Sequence, residues 1–501
     1  MSGPDSLERR FYQLIISRLD GDNIQDEDYR KRIIGLVKKG IGGFIIFGGM
    51  RSAIKGFITE IQSIAEIPLF IASDIERGVG QQIKGATPFP CQMAVAAAID
   101  RNRQEDSGLL EDAIKAAAAE ALDIGSNMPL IPVMDVNLNP HNPIICTRAF
   151  SDNPRDVAWF GSRYIKILEA SGLISCAKHF PGHGDTSIDS HIALPVINKS
   201  ESALMNTDVM PFVEAIKTGA SSIMIGHLTV PALDSRPASL SKKVINGLLR
   251  EKLGFGGLIL TDALNMNALS ATGNVPVECI HAGADILLHP ADADLTVREL
   301  MASAGSGKIA EERVDASLRR IAEVKAGLQS AGAAEADYSG HKELSSLIAG
   351  RAITLIKNKA GLLPLSDDGT QLIFAGDRKY FEHSPLRGHF KDTVNLADIN
   401  ELRQGTAVCA VFTGVAAWKG SSGIESTERQ KLSGLIDRAK KSIVISFGSP
   451  YVLRHFPEAD ILVAAYDATG QAQEAVIKRL QGEADFKGRL PVRLDARART
   501  H

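Results

Sequence analysis

Leu173-Ile-Ser-Cys-Ala-Lys-His-Phe-Pro-Gly-His-Gly-Asp-Thr-Ser-Ile-Asp-Ser-His191 starts as a buried-type strand and ends as a polar loop. The first five residues carry no charge, and the fourteen from Lys178 onward hold one lysine, three histidines and two aspartates. Such groups cost desolvation energy in a core, so a chain gathers them among glycines where a loop must set them around a reacting molecule. A strand that releases chemistry at its C-terminal end is the unit from which α/β sheets and barrels build their sites.

Outward from this stretch the same unit recurs. Apolar runs at 14–16, 44–47, 69–72, 130–134, 173–177, 222–225, 258–260 and 285–288 alternate with helical segments such as 111–122 and 154–171. Asp74, Asp135, Lys178 with His179, His227, Asp262 and His289 stand directly after six of these runs. Parallel barrel strands bring such positions together on one face. The reading is a (β/α)8 TIM-like barrel over residues 1–330, closed by a charged amphipathic helix at 313–329 and followed by a linker at 330–336. A smaller α/β sandwich domain is expected over 340–501, from strand-like runs at 372–375, 407–413, 442–447 and 461–466 with helices at 427–441 and 471–481. A length of 501 residues suits two domains.

Composition narrows the function. A net charge of −3, with no basic block, supplies no field for a polyanion, so nucleic acid is not an expected partner. The polar N-terminus lacks a signal core and no run approaches about 20 apolar residues, so neither export nor a membrane anchor is expected. Five scattered cysteines without Cys-x-x-Cys spacing fit reduced thiols in the cytoplasm. Gly448-Ser-Pro-Tyr451 lacks the spacing of a phosphate loop and no Walker sequence occurs, which disfavours nucleotides. A small neutral or mildly charged substrate fits this balance, with a monomer or homodimer expected and no cofactor.

Asp262 ends Gly256-Gly-Leu-Ile-Leu-Thr-Asp262 with no basic neighbour in sequence. Cations from other strands would have to keep it ionised, with Lys178 and Arg148 available, and it could then act as nucleophile or electrostatic stabiliser. The position equally suits a helix N-cap. Asp189 and His191, one residue apart, can share a hydrogen bond that fixes the imidazole tautomer and equips it as acid and base, or that merely braces the loop. Asp74 is suited to accept from a pair of hydroxyls, Arg148 offers a planar fork and Lys178 a point charge, and all three could instead be structural ion-pair partners. His179 and His183 have the spacing of a helical metal pair, but Pro181 and Gly182 between them prevent one helical face, so no metal is expected.

These motifs resemble glycoside hydrolase family 3 β-N-acetylglucosaminidases, also called β-N-acetylhexosaminidases, of the two-domain type. The resemblance runs through Asp74-Ile-Glu76, Thr87-Pro-Phe-Pro-Cys-Gln-Met-Ala94, Pro132-Val-Met-Asp-Val-Asn137, Arg148-Ala-Phe150, the loop from Lys178 to His191, Pro237-Ala-Ser-Leu-Ser241 and Gly254 to Asp262. It continues through Ala352-Ile-Thr-Leu-Ile-Lys-Asn358, Gly448-Ser-Pro-Tyr451 and Gly488-Arg-Leu-Pro-Val492. It implies Asp262 as nucleophile, His191 as acid/base, Asp189 as its partner, and Asp74, Arg148, Lys178 and His179 as the sugar-binding set. A retaining hydrolase releasing terminal β-N-acetylglucosamine from small glycans such as peptidoglycan fragments follows. A phosphorylase on the same scaffold is the alternative, since a histidine base does not repel phosphate as a carboxylate would; a β-glucosidase and a non-catalytic sugar-binding protein stand behind it. One departure is Glu76-Arg-Gly-Val-Gly80, where shorter members often read Glu-Gly-Gly-Arg.

Overall fold

The computed structural model describes residues 6–270, 272–328, 335–359, 361–365, 369–399, 401–402, 405–415 and 419–495. Within these, the chain forms two compact units. The first comprises the described residues of 1–89, 111–136 and 154–341, the second those of 90–110, 137–153 and 342–501. The units are thus interleaved in sequence: two stretches from the first third of the chain, including the one carrying Arg148, belong with the C-terminal residues. Of the linker expected at 330–336, only 335 and 336 lie within the described residues, and Gln329 also lies outside them.

In the first unit the strands are β1 (Ile15–Asp20), β2 (Gly43–Phe47), β3 (Phe70–Ser73), β4 (Met128–Pro129), β5 (Cys176–Phe180), β6 (Ser222–Ile225), β7 (Leu258–Thr261) and β8 (Leu287–Leu288). Hydrogen bonding groups them as β4-β3-β2-β1-β8 and β5-β6-β7, with every pairing parallel. Two further parallel bridges, Val133 to Lys178 and Leu260 to Ile286, join the groups at both edges, so eight strands close in sequence order into a barrel. β3, β6 and β7 are buried along their full length, as expected of parallel strands covered on both faces. Gly43 is required by close approach: a Cβ there would lie 2.1 Å from the carbonyl oxygen of Phe70 on the neighbouring strand.

The helix Glu311–Ala326 seals the N-terminal ends of the strands through its charges. Its Arg313, Ser317 and Arg320 converge with Arg250 on the fully buried Asp285, which also accepts from the amide of Ile259 at 3.0 Å. Lys325, near the end of the helix, is buried with Nζ 3.0 Å from both Gln13 Oε1 and the Gly42 carbonyl, over the ring of Phe70 at 4.6 Å. Neither oxygen acceptor is a carboxylate, and burial pushes the ammonium from its ordinary 10.5 down to about 7. Between those values the unfolded chain binds a proton that the folded chain does not, so this lysine costs progressively more stability as pH falls from 10.5 to 7. Denaturant titrations of Lys325→Met and wild type should therefore diverge in the mutant's favour across that interval and run parallel below it; a pH-independent difference would contradict the argument.

The second unit contains β9 (Thr354–Asn358), β10 (Thr370–Gly376), β11 (Asp392–Asn395), β12 (Thr406–Thr413), β13 (Lys441–Gly448) and β14 (Ile461–Ala464). They form one sheet in the order β11-β10-β12-β13-β14-β9, parallel except for β9 against β14. Its core stacks Phe374, Phe412 and Phe447 with Ile443 and Ile445. The α/β class and the four central strands agree with the sequence reading. β9 and β11 escape it because both are short edge strands with polar or half-exposed residues. No helix among the described residues is long and apolar enough to cross a membrane.

Candidate active site

The residues read from sequence as strand-end groups lie at or just beyond the C-terminal ends of the barrel strands, with two adjustments. Lys178 and His179 lie inside β5 rather than after it, and their peptide bond is cis. The run 130–134 continues past the two-residue β4 as a segment that meets β5 by an isolated bridge, Val133 to Lys178, and by the Ile131 carbonyl, which accepts from the amide of Cys176 at 2.8 Å.

Lys178 is 1% exposed, and its ammonium sits between two carboxylates, Asp74 Oδ1 at 2.6 Å and Glu76 Oε1 at 2.8 Å. A buried cation requires such compensation. Asp74 keeps 31% side-chain exposure, so part of it faces solvent. Beside this pair, the fully buried Asp135 binds the start of the loop: Oδ2 is 2.7 Å from His179 Nδ1, while Oδ1 accepts from the amides of His179 at 3.2 Å and His183 at 2.7 Å. Burial raises the Asp135 carboxyl, but the fields of His179 and His183 and these hydrogen bonds prevail and hold it below the ordinary range. The carboxylate favours a proton on Nδ1 of His179, which directs Nε2 away from it.

His183 is a buried structural group. Its Nδ1 lies 2.9 Å from Thr186 Oγ1 and its Nε2 3.1 Å from Ser190 Oγ, and burial lowers its pKa to about 4. It therefore ties the beginning of the loop to Ser190, between the two residues of the dyad. Gly182 helps set the turn, with φ 125° and a position where a Cβ would lie 2.7 Å from Cβ of Asp208.

At the far end of the loop, Asp189 Oδ1 accepts from both the amide and Nδ1 of His191, each at 2.9 Å. Asp189 is buried, whereas the His191 side chain is 21% exposed. The pair thus orients the imidazole through Nδ1 and leaves part of its side chain exposed. Ile188 and Ile192, flanking the dyad, are exposed apolar side chains on the same loop.

Asp262 follows β7 and is half-buried, its Oδ1 accepting from the amide of Ala263 at 2.7 Å. No helix starts there; the next element is a short 3-10 turn at Asn267–Leu269 capped by Met266, so the N-cap alternative does not hold. Burial raises its pKa, but the fields of His179, His227 and His191, with the Ala263 amide, outweigh that and hold it at about 2. The leading fields on Asp262 thus come from imidazoles. Lys178, offered by the sequence as its cation, is instead paired with Asp74 and Glu76. His227 is buried, 2.8 Å from Ser239 Oγ through Nδ1 and 3.2 Å from the Ala263 carbonyl through Nε2, and burial depresses its pKa.

Asp74, Lys178, His179, Asp189, His191 and Asp262 all belong to the barrel unit. Arg148 belongs to the second unit, in the 3-10 turn Cys146–Arg148, where its Nη1 donates to the Ile144 carbonyl at 3.2 Å. Sequence reasoning named Asp135 and His227 as strand-end residues without giving them tasks, and passed over Glu76 as the second acid on Lys178. The alternation Asp74-Ile-Glu76 was the available signal, since residues two apart on an extended segment share a face. Among the described residues, no group of three or more His, Cys, Asp and Glu side chains is placed to hold a metal ion.

A model of the glycosyl hydrolase family 3 N terminal domain matches residues 6–324. The chain belongs to glycosyl hydrolase family 3. It is 30% identical to beta-hexosaminidase A of Pseudoalteromonas piscicida over 506 residues, covering 86% of this chain and 84% of the other. Identity to a beta-N-acetylglucosaminidase/beta-glucosidase of Cellulomonas fimi is 27% over 517 residues, covering 92% and 90%. The structure of a glycoside hydrolase family 3 beta-N-acetylglucosaminidase from Paenibacillus sp. str. FPU-7 superposes with TM-score 0.84 at 28% identity, over 98% of this chain and all of the other. This family 3 chain is accordingly a glycosidase, with the barrel and α/β sandwich architecture of its relatives.

Proposed function

We propose that this family 3 glycosidase is a retaining β-N-acetylhexosaminidase that removes terminal non-reducing β-N-acetylglucosamine from small glycans such as peptidoglycan fragments. The observation that carries this reading is the pairing of His191 with the buried Asp189 on a loop whose imidazole acts on the ionised Asp262. The names of the hexosaminidase relatives support the same substrate class. Asp262 attacks the anomeric carbon while Nε2 of His191 passes its proton to the glycosidic oxygen, and the aglycone leaves. His191, now neutral, takes a proton from the water that opens the glycosyl ester and regenerates the Asp262 carboxylate. Asp74 accepts from sugar hydroxyls, with Lys178 fixing its orientation, and His179 joins them in the sugar-binding set. Five free cysteines, all buried, accord with action in the reducing cytoplasm.

The test is hydrolysis of nitrophenyl β-N-acetylglucosaminide, compared with the β-glucoside, with and without phosphate, and with the first-formed anomer read by proton NMR. The expected product is free β-N-acetylglucosamine in both buffers, with the glucoside turned over more slowly. Accumulation of N-acetylglucosamine 1-phosphate would replace hydrolysis by phosphorolysis, and an α anomer formed first would exclude retention.

A further inference from the structure

The second unit holds a cavity of about 440 Å³ lined by residues of the helices His341–Ala352 and Gly470–Leu480 and by Ala484, Asp485 and Lys487. This lies within the ~300–1,000 Å³ typical of small-molecule sites. Four cations line it, Arg351, Lys478, Arg479 and Lys487, against two acids, Glu474 and Asp485. Arg351 is already committed, its guanidinium bridging Glu105 and Asp106 at 3.1 Å each. The other three make no ion pair with any described carboxylate. Lys478 and Lys487 are exposed, so solvent serves them, but Arg479 is only 8% exposed. Its Nη1 donates at 2.8 Å to the Ala475 carbonyl one turn back in its own helix, and its buried Nε has no partner among the described residues. Burial depresses this guanidinium, and the field of Asp485 compensates only in part. A buried guanidinium without a paired counter-charge is costly, and here it borders an open cavity.

We propose that this cavity binds a phosphorylated sugar or polyol, with the phosphate on Arg479, Lys478 and Lys487 and the hydroxyls on Glu474 and Asp485. A guanidinium fork matches phosphate oxygens, and three uncommitted cations suit a phosphate monoester of about −1.5 to −2 better than a single carboxylate. The two acids disfavour a polyanion and supply acceptors for hydroxyls. Two neutral side chains, Ser346 and Gln471, extend that hydroxyl-binding wall.

Isothermal titration of the full chain at physiological salt with glucose 6-phosphate, glucose, gluconate and inorganic phosphate tests this. Glucose 6-phosphate should saturate one site per chain, at least about tenfold tighter than the other three. Arg479→Met should abolish that binding. Because Arg479 is buried, the exposed pair Lys478→Ala and Lys487→Ala serves as the second variant: together they should weaken binding about tenfold or more while leaving glycosidase activity unchanged. Absence of saturation by glucose 6-phosphate, or affinity indifferent to the lysine pair, as binding in the barrel would be, overturns the proposal. Equal affinity for inorganic phosphate, meaning an adventitious ion only, or for gluconate overturns it as well.

Discussion

Asp262→Ala lowers kcat for nitrophenyl β-N-acetylglucosaminide by about ten thousandfold or more, because removing a nucleophile removes the covalent route rather than one interaction along it. The fold should survive. The carboxylate's hydrogen bond is to the adjacent Ala263 amide, so no long-range tie is cut, and what is lost is the field of the imidazoles that favours its ionised form. Thermal unfolding near the wild-type midpoint would establish that. Added azide should then occupy the vacated space, form the C–N bond at the anomeric carbon as nitrophenolate leaves, and yield the α-glycosyl azide. Turnover within tenfold of wild type, or a β-azide, would remove Asp262 from this role. Since Asp262 remains ionised down to about pH 2, an activity loss between pH 4 and 6 must come from other groups.

His191→Ala separates leaving groups. For saccharide aglycones, which need a proton to depart, kcat/KM should fall by about 10²–10⁴-fold. Nitrophenolate departs without one, so the first step persists and the second, lacking its base, becomes limiting. A burst of nitrophenol equal to the enzyme concentration is the expected trace. A purely structural role for His191 would depress both substrates alike and give no burst. Asp189→Asn retains a hydrogen-bonding group beside Nδ1 but removes the charge, so it should show the same leaving-group dependence more weakly, the imidazolium having lost its stabilising field.

Much of the barrel was legible because its strands are short apolar runs, each followed by a polar residue that packing does not explain. The run at 222–225 coincides with β6, and those at 44–47 and 258–260 differ from β2 and β7 by one residue. Less legible was the fourth run: Leu130 to Met134 is apolar throughout, yet β4 ends at Pro129. Pro132 has no amide hydrogen to offer a neighbouring strand, so regular pairing does not continue through it. The two edge strands β9 and β11 carried too few apolar residues to stand out, and their pairing with a buried neighbour makes them strands.

The amino-acid sequence by itself determines the α/β alternation, the strand ends that bear chemistry and the Asp189–His191 dyad, because each of these is local. Alternation follows from hydrophobic period, and the dyad needs only two residues one apart. Tertiary structure alone decides which charge serves which. Lys178 meets Asp74 across 104 positions, His179 takes Asp135 across 44, and Asp262 is left to the imidazoles of His179, His191 and His227. It also decides that residues 137–153, with Arg148, belong to the second unit. The physical reason is that an ion pair depends on separation in space and on burial, and neither is a function of spacing along the chain.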